Sequence, residues 1–266
     1  MNTIIEKSNR LDKVFEEKKD HVLSVYFSAG FPGLNDTAVI LEYLQEAGAD
    51  IIEIGIPFSD PIADGPTIQQ SNQQSLDNGM SLKLLFSQLQ GIRSKIDTPI
   101  ILMGYVNPVL QYGIEDFCKD CQKVGVDGLI LPDLPMQEYM EEYKTLFDQY
   151  GLYNIFLITP QTSEQRIKEI DANTNGFIYM VSSASTTGAK SGIATEQIEY
   201  FERVKTMQLK NPTMIGFGIS NHETFAKACD YASGAIIGSA FIKLLSESTD
   251  LKTDINKFIK SIRNND

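Results

Sequence analysis

The length, composition and charge of the chain limit the classes of protein to which it can belong. Of its 266 residues, 42% are hydrophobic and 22% are charged, which is the composition of an ordinary globular protein with a sizeable core. Its 23 basic and 35 acidic residues give a net charge of −12, which argues against nucleic acid or an anionic membrane surface as a partner, because both would repel the chain.

The N-terminus and the apolar runs predict a cytoplasmic protein. The first residues, up to Lys19, are polar and charged, without the apolar core of a secretory signal. No apolar run approaches the ~18 residues that a membrane span requires.

Short apolar runs then alternate with amphipathic stretches. A first amphipathic segment places Ile4, Leu11 and Phe15 at helical spacing, and a last helix begins near Leu251. The predicted strands are residues 22–28, 50–54, 99–104, 127–131, 153–158, 176–181, 212–216 and 234–238. Eight strand–helix units match the count of a (β/α)8 barrel, whereas a doubly wound sheet has about five or six strands. We predict one α/β barrel domain over residues 1–266, with an extra N-terminal helix and a short extra helix after the eighth strand.

Cysteine and histidine offer little catalytic material. Cys118 and Cys121 form a C-x-x-C within a predicted helix, where a pair of buried core residues is favoured over a redox or zinc site, because those need a helix N-terminus or a second pair. His21 and His222 are the only histidines, and neither lies beside a nucleophile in the sequence. We therefore expect chemistry based on carboxylates, hydroxyls and backbone amides.

Two connections are longer than ordinary βα turns. They are residues 55–69, after the second predicted strand, and residues 182–194, after the sixth. In a barrel the βα loops line the active face, and loops of this length are typical of lids and binding loops that close over a substrate. A tolerated surface insertion is the alternative.

Carboxylates cluster around the first of these loops. Glu53 interrupts the apolar run at the end of the second strand, where a buried carboxyl would have a raised pKa and could exchange protons near neutral pH. An outward-pointing Glu53 in a salt bridge is the alternative. Asp60 and Asp64 follow in a proline-rich loop that restricts their geometry, and Asp64 is expected opposite Glu53 across the barrel mouth.

Small residues follow the last three predicted strands. They are Thr187-Gly188, residues 216–220 and residues 238–240. The loops after the seventh and eighth strands of a barrel, with a helix that begins near Ser239, commonly form a phosphate cradle of backbone amides and a helix N-terminus. This pattern predicts a phosphorylated small molecule as the ligand and differs from a dinucleotide fingerprint, because no third glycine follows.

Several of these segments resemble one known family. Residues 53–69, with the sequence EIGIPFSDPIADGPTIQ, closely resemble the signature of the tryptophan synthase α-subunit family. The resemblance extends over essentially the whole chain, including Tyr105-x-Asn107-Pro108 and the segments 131–135, 216–219 and 238–240.

The resemblance implies an activity and a set of site residues. The implied reaction is the retro-aldol cleavage of indole-3-glycerol phosphate to indole and glyceraldehyde 3-phosphate in tryptophan biosynthesis. Glu53 matches the glutamate that moves the proton between the glycerol hydroxyl and indole C3, Asp64 the aspartate that holds the indole N–H, and Tyr179 the active-site tyrosine. The residues implied to bind substrate and phosphate are Thr187, Gly188, Gly218, Gly238 and Ser239. Tyr26, Met103 and Ile158 are expected as walls for the indole because of their position at strand ends.

The resemblance also implies a partner and the absence of a cofactor in this chain. The family works with a β subunit that carries pyridoxal phosphate, in an αββα heterotetramer, and we expect Asp60, Pro61, Asn107 and Pro108 to face it. Ser185 stands where many members have glycine in the lid, which bears on closure and coupling rather than on the reaction. The alternatives are another phosphate-binding barrel enzyme, such as a sugar-phosphate isomerase, and a barrel that binds without catalysis.

Overall fold

A computed structural model of the chain describes residues 9–61, 64–181, 195–216 and 218–264. The strands are β1 (Val22–Ser28), β2 (Ile51–Gly55), β3 (Ile100–Met103), β4 (Gly128–Ile130), β5 (Tyr153–Asn154), β6 (Leu157–Ile158), β7 (Ile178–Val181), β8 (Thr213–Gly216) and β9 (Gly234–Ile237). The helices are α1 (Arg10–Glu17), α2 (Thr37–Ala47), α3 (Pro66–Asp77), α4 (Leu82–Gln88), α5 (Val106–Tyr112), α6 (Ile114–Val124), α7 (Met136–Glu138), α8 (Lys144–Gln149), α9 (Glu164–Asn173), α10 (Thr195–Thr206), α11 (His222–Cys229), α12 (Ser239–Glu247) and α13 (Leu251–Arg263).

All strand pairs are parallel, and the sheet closes on itself. Its order is β5-β4-β3-β2-β1-β9-β8-β7-β6, so the two edges are β5 and β6. Both edges belong to the segment 153–158. Its first half bonds to β4, where the amide of Ile155 donates to the carbonyl of Leu129 (2.9 Å). Its second half bonds to β7, where the amide of Tyr179 donates to the carbonyl of Phe156 (3.0 Å). The α/β barrel predicted from the sequence is confirmed. The single continuous strand predicted over residues 153–158 is wrong, because this segment bonds first to one neighbour and then to the other.

Alternate residues of each strand point into the barrel, as the two-residue period of a strand requires. The residues between them, such as Val25 and Phe27 on β1, pack outward into the large core beneath the helices. The inner cluster consists of Leu11, Val22, Ile51, Ile101, Ile130, Ile155, Phe177, Tyr179, Met214 and Ile236. Leu11 belongs to α1, so the extra N-terminal helix closes one end of the barrel interior.

A repeated Gly-x-Asp sequence joins helices to strands at that end. Gly48 and Gly125 end α2 and α6 in the left-handed conformation, with φ of 95° and 82°. Two residues later, Asp50 accepts the amide of Leu23 (2.7 Å) and Asp127 accepts the amide of Ile100 (2.8 Å). Each aspartate therefore fixes the start of the neighbouring strand.

Several details at the opposite end differ from the sequence-based expectation. The long loop predicted over 55–69 ends earlier, because Pro66 occupies the first position of α3, where a missing N–H costs no hydrogen bond. Asn107 and Pro108, which are expected to face the partner, lie in the first turn of α5. The predicted extra helix after the last strand is present as α12, which begins at Ser239.

The remaining sequence-based predictions concern the cysteine pair, the start of the N-terminal helix and the long loop after the sixth predicted strand. Cys118 and Cys121 are fully buried in α6, as the core interpretation requires. The early part of the predicted N-terminal helix, around Ile4, and the loop 182–194 lie outside the described residues. None of the helices within the described ranges is long and apolar enough to cross a membrane.

Candidate active site

Glu53 lies on β2 with its side chain inside the barrel and has no exposed surface. One carboxylate oxygen, Oε1, accepts a hydrogen bond of 2.6 Å from the hydroxyl of Ser24 on β1. The other oxygen, Oε2, is buried without a hydrogen-bond partner among the described residues. Burial raises the pKa of Glu53 from 4.5 to about 7, and the Ser24 hydrogen bond opposes that rise. The carboxyl can therefore give and take a proton near neutral pH.

Two buried tyrosines lie beside this carboxyl. Tyr26 on β1 is the register partner of Glu53, and Tyr179 lies on β7. Burial raises the pKa of both hydroxyls above the ordinary value, and the charges of Glu53 and Asp64 raise each further. Both side chains consequently remain protonated at neutral pH and can donate hydrogen bonds.

Glycines on the neighbouring strands make room for these two rings. A Cβ added to Gly55 on β2 would overlap the hydroxyl of Tyr26, and a Cβ added to Gly216 on β8 would overlap the hydroxyl of Tyr179. Each tyrosine therefore crosses to the next strand over a position where only glycine fits.

Asp64 shares a cavity with Tyr26 at the end of the barrel where these strands finish. The residues that line it are mostly apolar: Tyr26, Ile56, Asp64, Asn72, Met103, Gly104, Tyr105, Pro132 and Leu157. Burial raises the pKa of Asp64 above its usual value. Asp64 thus presents a carboxyl to a space otherwise suited to a flat apolar group.

Of the three residues predicted to form the walls of the indole site, two line the cavity and one does not. Tyr26 and Met103 both line the cavity. Ile158 does not line it: it is fully buried in the outer core, while its neighbour Leu157 lines the cavity. Adjacent strand residues face opposite sides of the sheet, so the cavity is lined by Leu157 and not by Ile158.

A small polar network supports the cavity from α3. The hydroxyl of Ser28 lies 2.8 Å from the hydroxyl of Ser71 and donates to Oδ1 of Asn72 at 2.9 Å. These hydrogen bonds connect Ser28 on β1 to α3, the helix that follows the acidic loop.

Of the predicted phosphate-binding residues, three lie in the described part of the chain. Gly218 follows β8 with a φ of 78°, a conformation that favours glycine. Gly238 is the N-cap of α12, and Ser239 is its first residue. A Cβ at Gly238 would make only ordinary contacts, at 3.5 Å from Tyr26 and 3.7 Å from Ile68. Thr187 and Gly188 lie outside the described residues.

The residues expected to face a partner are at the surface near the cavity. Asp60 is exposed and accepts a hydrogen bond from Ser59. Asn107 is exposed on α5, near Leu110, which is 46% exposed despite its apolar side chain. Pro61 and Pro108 are partly buried.

Sequence reasoning missed Ser24, Ser28 and Asn72. The signal for the two serines lay in β1, where residues 22, 24, 26 and 28 face inward, so that both serines share the inner face with Tyr26. Reading residues 22–28 only as an apolar run concealed this alternation. Within the described ranges, no group of three or more His, Cys, Asp or Glu side chains is arranged to hold a metal ion.

Comparison with known sequences identifies one family. The sequence model described as tryptophan synthase alpha chain matches residues 13–265. The tryptophan synthase alpha chain of Flavobacterium johnsoniae is 59% identical over 255 residues, which cover 96% of this chain and 100% of the relative. That of Parabacteroides distasonis is 53% identical over 255 residues, covering 96% of this chain and 99% of the relative.

Solved structures with the same fold agree with the sequence comparison. The tryptophan synthase alpha chain from Legionella pneumophila superposes with a TM-score of 0.87 at 35% identity, over 97% of each chain. A chain of the tryptophan synthase complex from Pyrococcus furiosus gives a TM-score of 0.83 at 34% identity, over 92% of this chain and 98% of that one.

Proposed function

Because the chain belongs to the tryptophan synthase alpha chain family, we propose that Glu53, Asp64 and Tyr179 carry the family's reaction in this protein. That reaction is the cleavage of indole-3-glycerol phosphate to indole and glyceraldehyde 3-phosphate, and the chain is a carbon–carbon lyase of tryptophan biosynthesis. The observation that supports the assignment best is the buried Glu53, with one unpartnered carboxylate oxygen and a pKa near 7.

Glu53 moves the proton in this proposal. The protonated carboxyl delivers a proton to C3 of the indole, and the carboxylate then accepts the proton of the glycerol hydroxyl. The C–C bond breaks as the hydroxyl carbon becomes an aldehyde, and its electron pair returns to the indole ring. No net proton is consumed, so one group with a pKa near 7 suffices for both transfers.

Asp64 and the apolar cavity hold the indole. Protonation at C3 places positive charge on the ring nitrogen, and a carboxylate that accepts the N–H stabilises that charge. The walls formed by Tyr26, Met103 and Leu157 suit the flat ring. Tyr179 remains protonated beside Glu53 and supplies a hydrogen-bond donor at the reacting end of the substrate.

The phosphate is held at the N-terminus of α12. Gly238 and Ser239 present backbone amides at the positive end of a nine-residue helix, and Gly218 contributes from the neighbouring strand end. Thr187 and Gly188 are assigned to the same substrate from the sequence.

The partner is the β subunit of tryptophan synthase, assembled as an αββα heterotetramer, and Asp60, Pro61, Asn107 and Pro108 form part of the docking face. The exposed Leu110 beside Asn107 supports this position, because a large exposed apolar side chain gains from burial against a partner. We further propose that the chain acts in the cytoplasm and needs no cofactor of its own, since two carboxyls provide the proton transfer and charge stabilisation that the cleavage requires.

The test is indole release from indole-3-glycerol phosphate by the purified chain without added cofactor. Glu53→Gln should lower kcat by about 10²–10⁴-fold, because the amide cannot exchange the proton. Asp64→Asn should also lose activity. Glu115→Gln, an exposed change on α6, serves as the matched control and should leave the rate unchanged. Near wild-type cleavage by a folded Glu53→Gln protein would reject the assignment.

A further inference from the structure

Ser24 and Glu53 form a buried, hydrogen-bonded pair inside the barrel. Both residues have no exposed surface, and the Ser24 hydroxyl donates to Glu53 Oε1 over 2.6 Å. They lie on adjacent strands, with Ser24 opposite Ile51 and Tyr26 opposite Glu53. Ser24 is therefore one inward position nearer the start of β1 than Tyr26, on the side of Glu53 away from the cavity that Tyr26 lines.

This hydrogen bond makes the two carboxylate oxygens of Glu53 unequal. Oε1 is engaged by a hydroxyl that has one hydrogen to give, and Oε2 has no hydrogen-bond partner among the described residues. A proton that binds Glu53 is therefore favoured on Oε2, because protonation of Oε1 would displace the Ser24 hydrogen. The same contact limits rotation of the carboxyl group.

We propose that Ser24 is a positioning residue for the cleavage reaction: its hydroxyl holds Oε1 of Glu53, so that Oε2 is the oxygen that transfers the proton. The inference rests on the proposed role of Glu53. Ser24 does not line the substrate cavity and acts only through the glutamate.

Among the described residues, no basic side chain contributes to the pKa of Glu53. The titratable side chains whose pKa responds to the charge of Glu53 are Tyr26 from β1 and Tyr179 from β7, and both remain neutral at neutral pH. The Ser24 hydrogen bond is the one contribution that lowers the pKa of Glu53 against the effect of burial, as far as the described residues extend. Loss of the hydroxyl should accordingly raise the pKa of Glu53.

Ser24→Thr and Ser24→Val are the matched pair that tests this role. They add nearly the same volume to a strand position that suits β-branched residues, and only the first keeps a hydroxyl. In the pH dependence of kcat, the limb that reports Glu53 should move up by about one pH unit in Ser24→Val, because a hydrogen bond to an ionised group changes its proton affinity by roughly tenfold. Ser24→Thr should keep the wild-type position, and KM should change little in either variant.

A direct titration of Glu53 shows whether that limb of the pH dependence of kcat reports this residue. The ¹³C resonance of the labelled Glu53 carboxyl, identified by its loss in Glu53→Gln, should titrate at higher pH in Ser24→Val than in Ser24→Thr. Ser24→Ala removes the hydroxyl without added bulk and replaces Ser24→Val if that variant does not fold. Equal titration of Glu53 with and without the hydroxyl would overturn the positioning role while leaving the catalytic role of Glu53 intact. Full activity of Glu53→Gln would instead overturn the proposed function.

Discussion

The hydroxyl of Tyr179 occupies the space that a Cβ at position 216 would need, so Tyr179 adopts its place in the barrel only because residue 216 is glycine. The same relationship links Tyr26 to Gly55. The positions of the two tyrosines beside Glu53 thus depend on glycine at residues 55 and 216 of the neighbouring strands. Because the interior is closely packed, a side chain at either glycine would displace the tyrosine.

Gly216→Ala should destabilise the fold by about 1–3 kcal/mol and displace Tyr179, because the added carbon overlaps the ring in a close-packed interior. In a Tyr179→Leu background, the shorter side chain leaves the space free, and the same glycine change should cost much less. Urea unfolding of the four proteins of this double-mutant cycle measures the coupling. Additive losses would show that residue 216 is constrained by something other than Tyr179.

The stability of the protein should depend on pH through Glu53. Burial raises the pKa of Glu53 in the folded state from 4.5 to about 7, so the folded protein holds this proton more tightly than the unfolded chain. As pH rises from 4.5 to about 7, the unfolded state loses the proton first, and this group's contribution to the free energy of unfolding falls, by about 3 kcal/mol, before levelling off.

Glu53→Gln removes that dependence. Relative to wild type, the variant should gain stability as pH is raised through this interval, with Glu115→Gln as a control that shows no such trend. Urea unfolding at several pH values measures the difference. A stability difference that is constant with pH would contradict the raised pKa of the folded state.

Gly238→Val should weaken binding of glycerol phosphate by about tenfold or more, because a branched side chain at the N-cap of α12 obstructs the approach of phosphate oxygens to the backbone amides. Binding of free indole should change less. Gly238→Ala, whose Cβ makes only ordinary contacts at 3.5 Å, tests whether the fold tolerates a side chain there. Calorimetric titration with each ligand separates the two effects, and equal losses for both would place the phosphate site elsewhere.

Asp127→Asn should destabilise the protein by about 3–5 kcal/mol without changing kcat. The Asp127 carboxylate is 4% exposed and binds Arg10 at 2.9 Å and Arg93 at 2.5 Å, so its loss leaves a largely buried guanidinium without its counter-ion. Arg10→Ala should cost less, because Arg10 is 38% exposed. Because this cluster lies at the end of the barrel away from the cavity, urea unfolding should change while indole release from the folded protein does not.

The sequence by itself determined the barrel, its extra helices and the candidate acids. Apolar runs at regular intervals predict parallel strands because both faces of each strand are buried, and Glu53 was recognisable as a charged residue inside such a run. The motif over residues 53–69 was sufficient to indicate the family, since its residues are contiguous.

Only the tertiary structure decided how side chains from different strands meet. The pairing of Ser24 with Glu53 depends on the register between β1 and β2, and the placement of Leu157 rather than Ile158 in the cavity depends on which face of the sheet each residue occupies. The division of residues 153–158 between two neighbours follows from closure of the barrel. These features arise from contacts between residues far apart in the chain, and periodicity along a single segment carries no information about its partner's register.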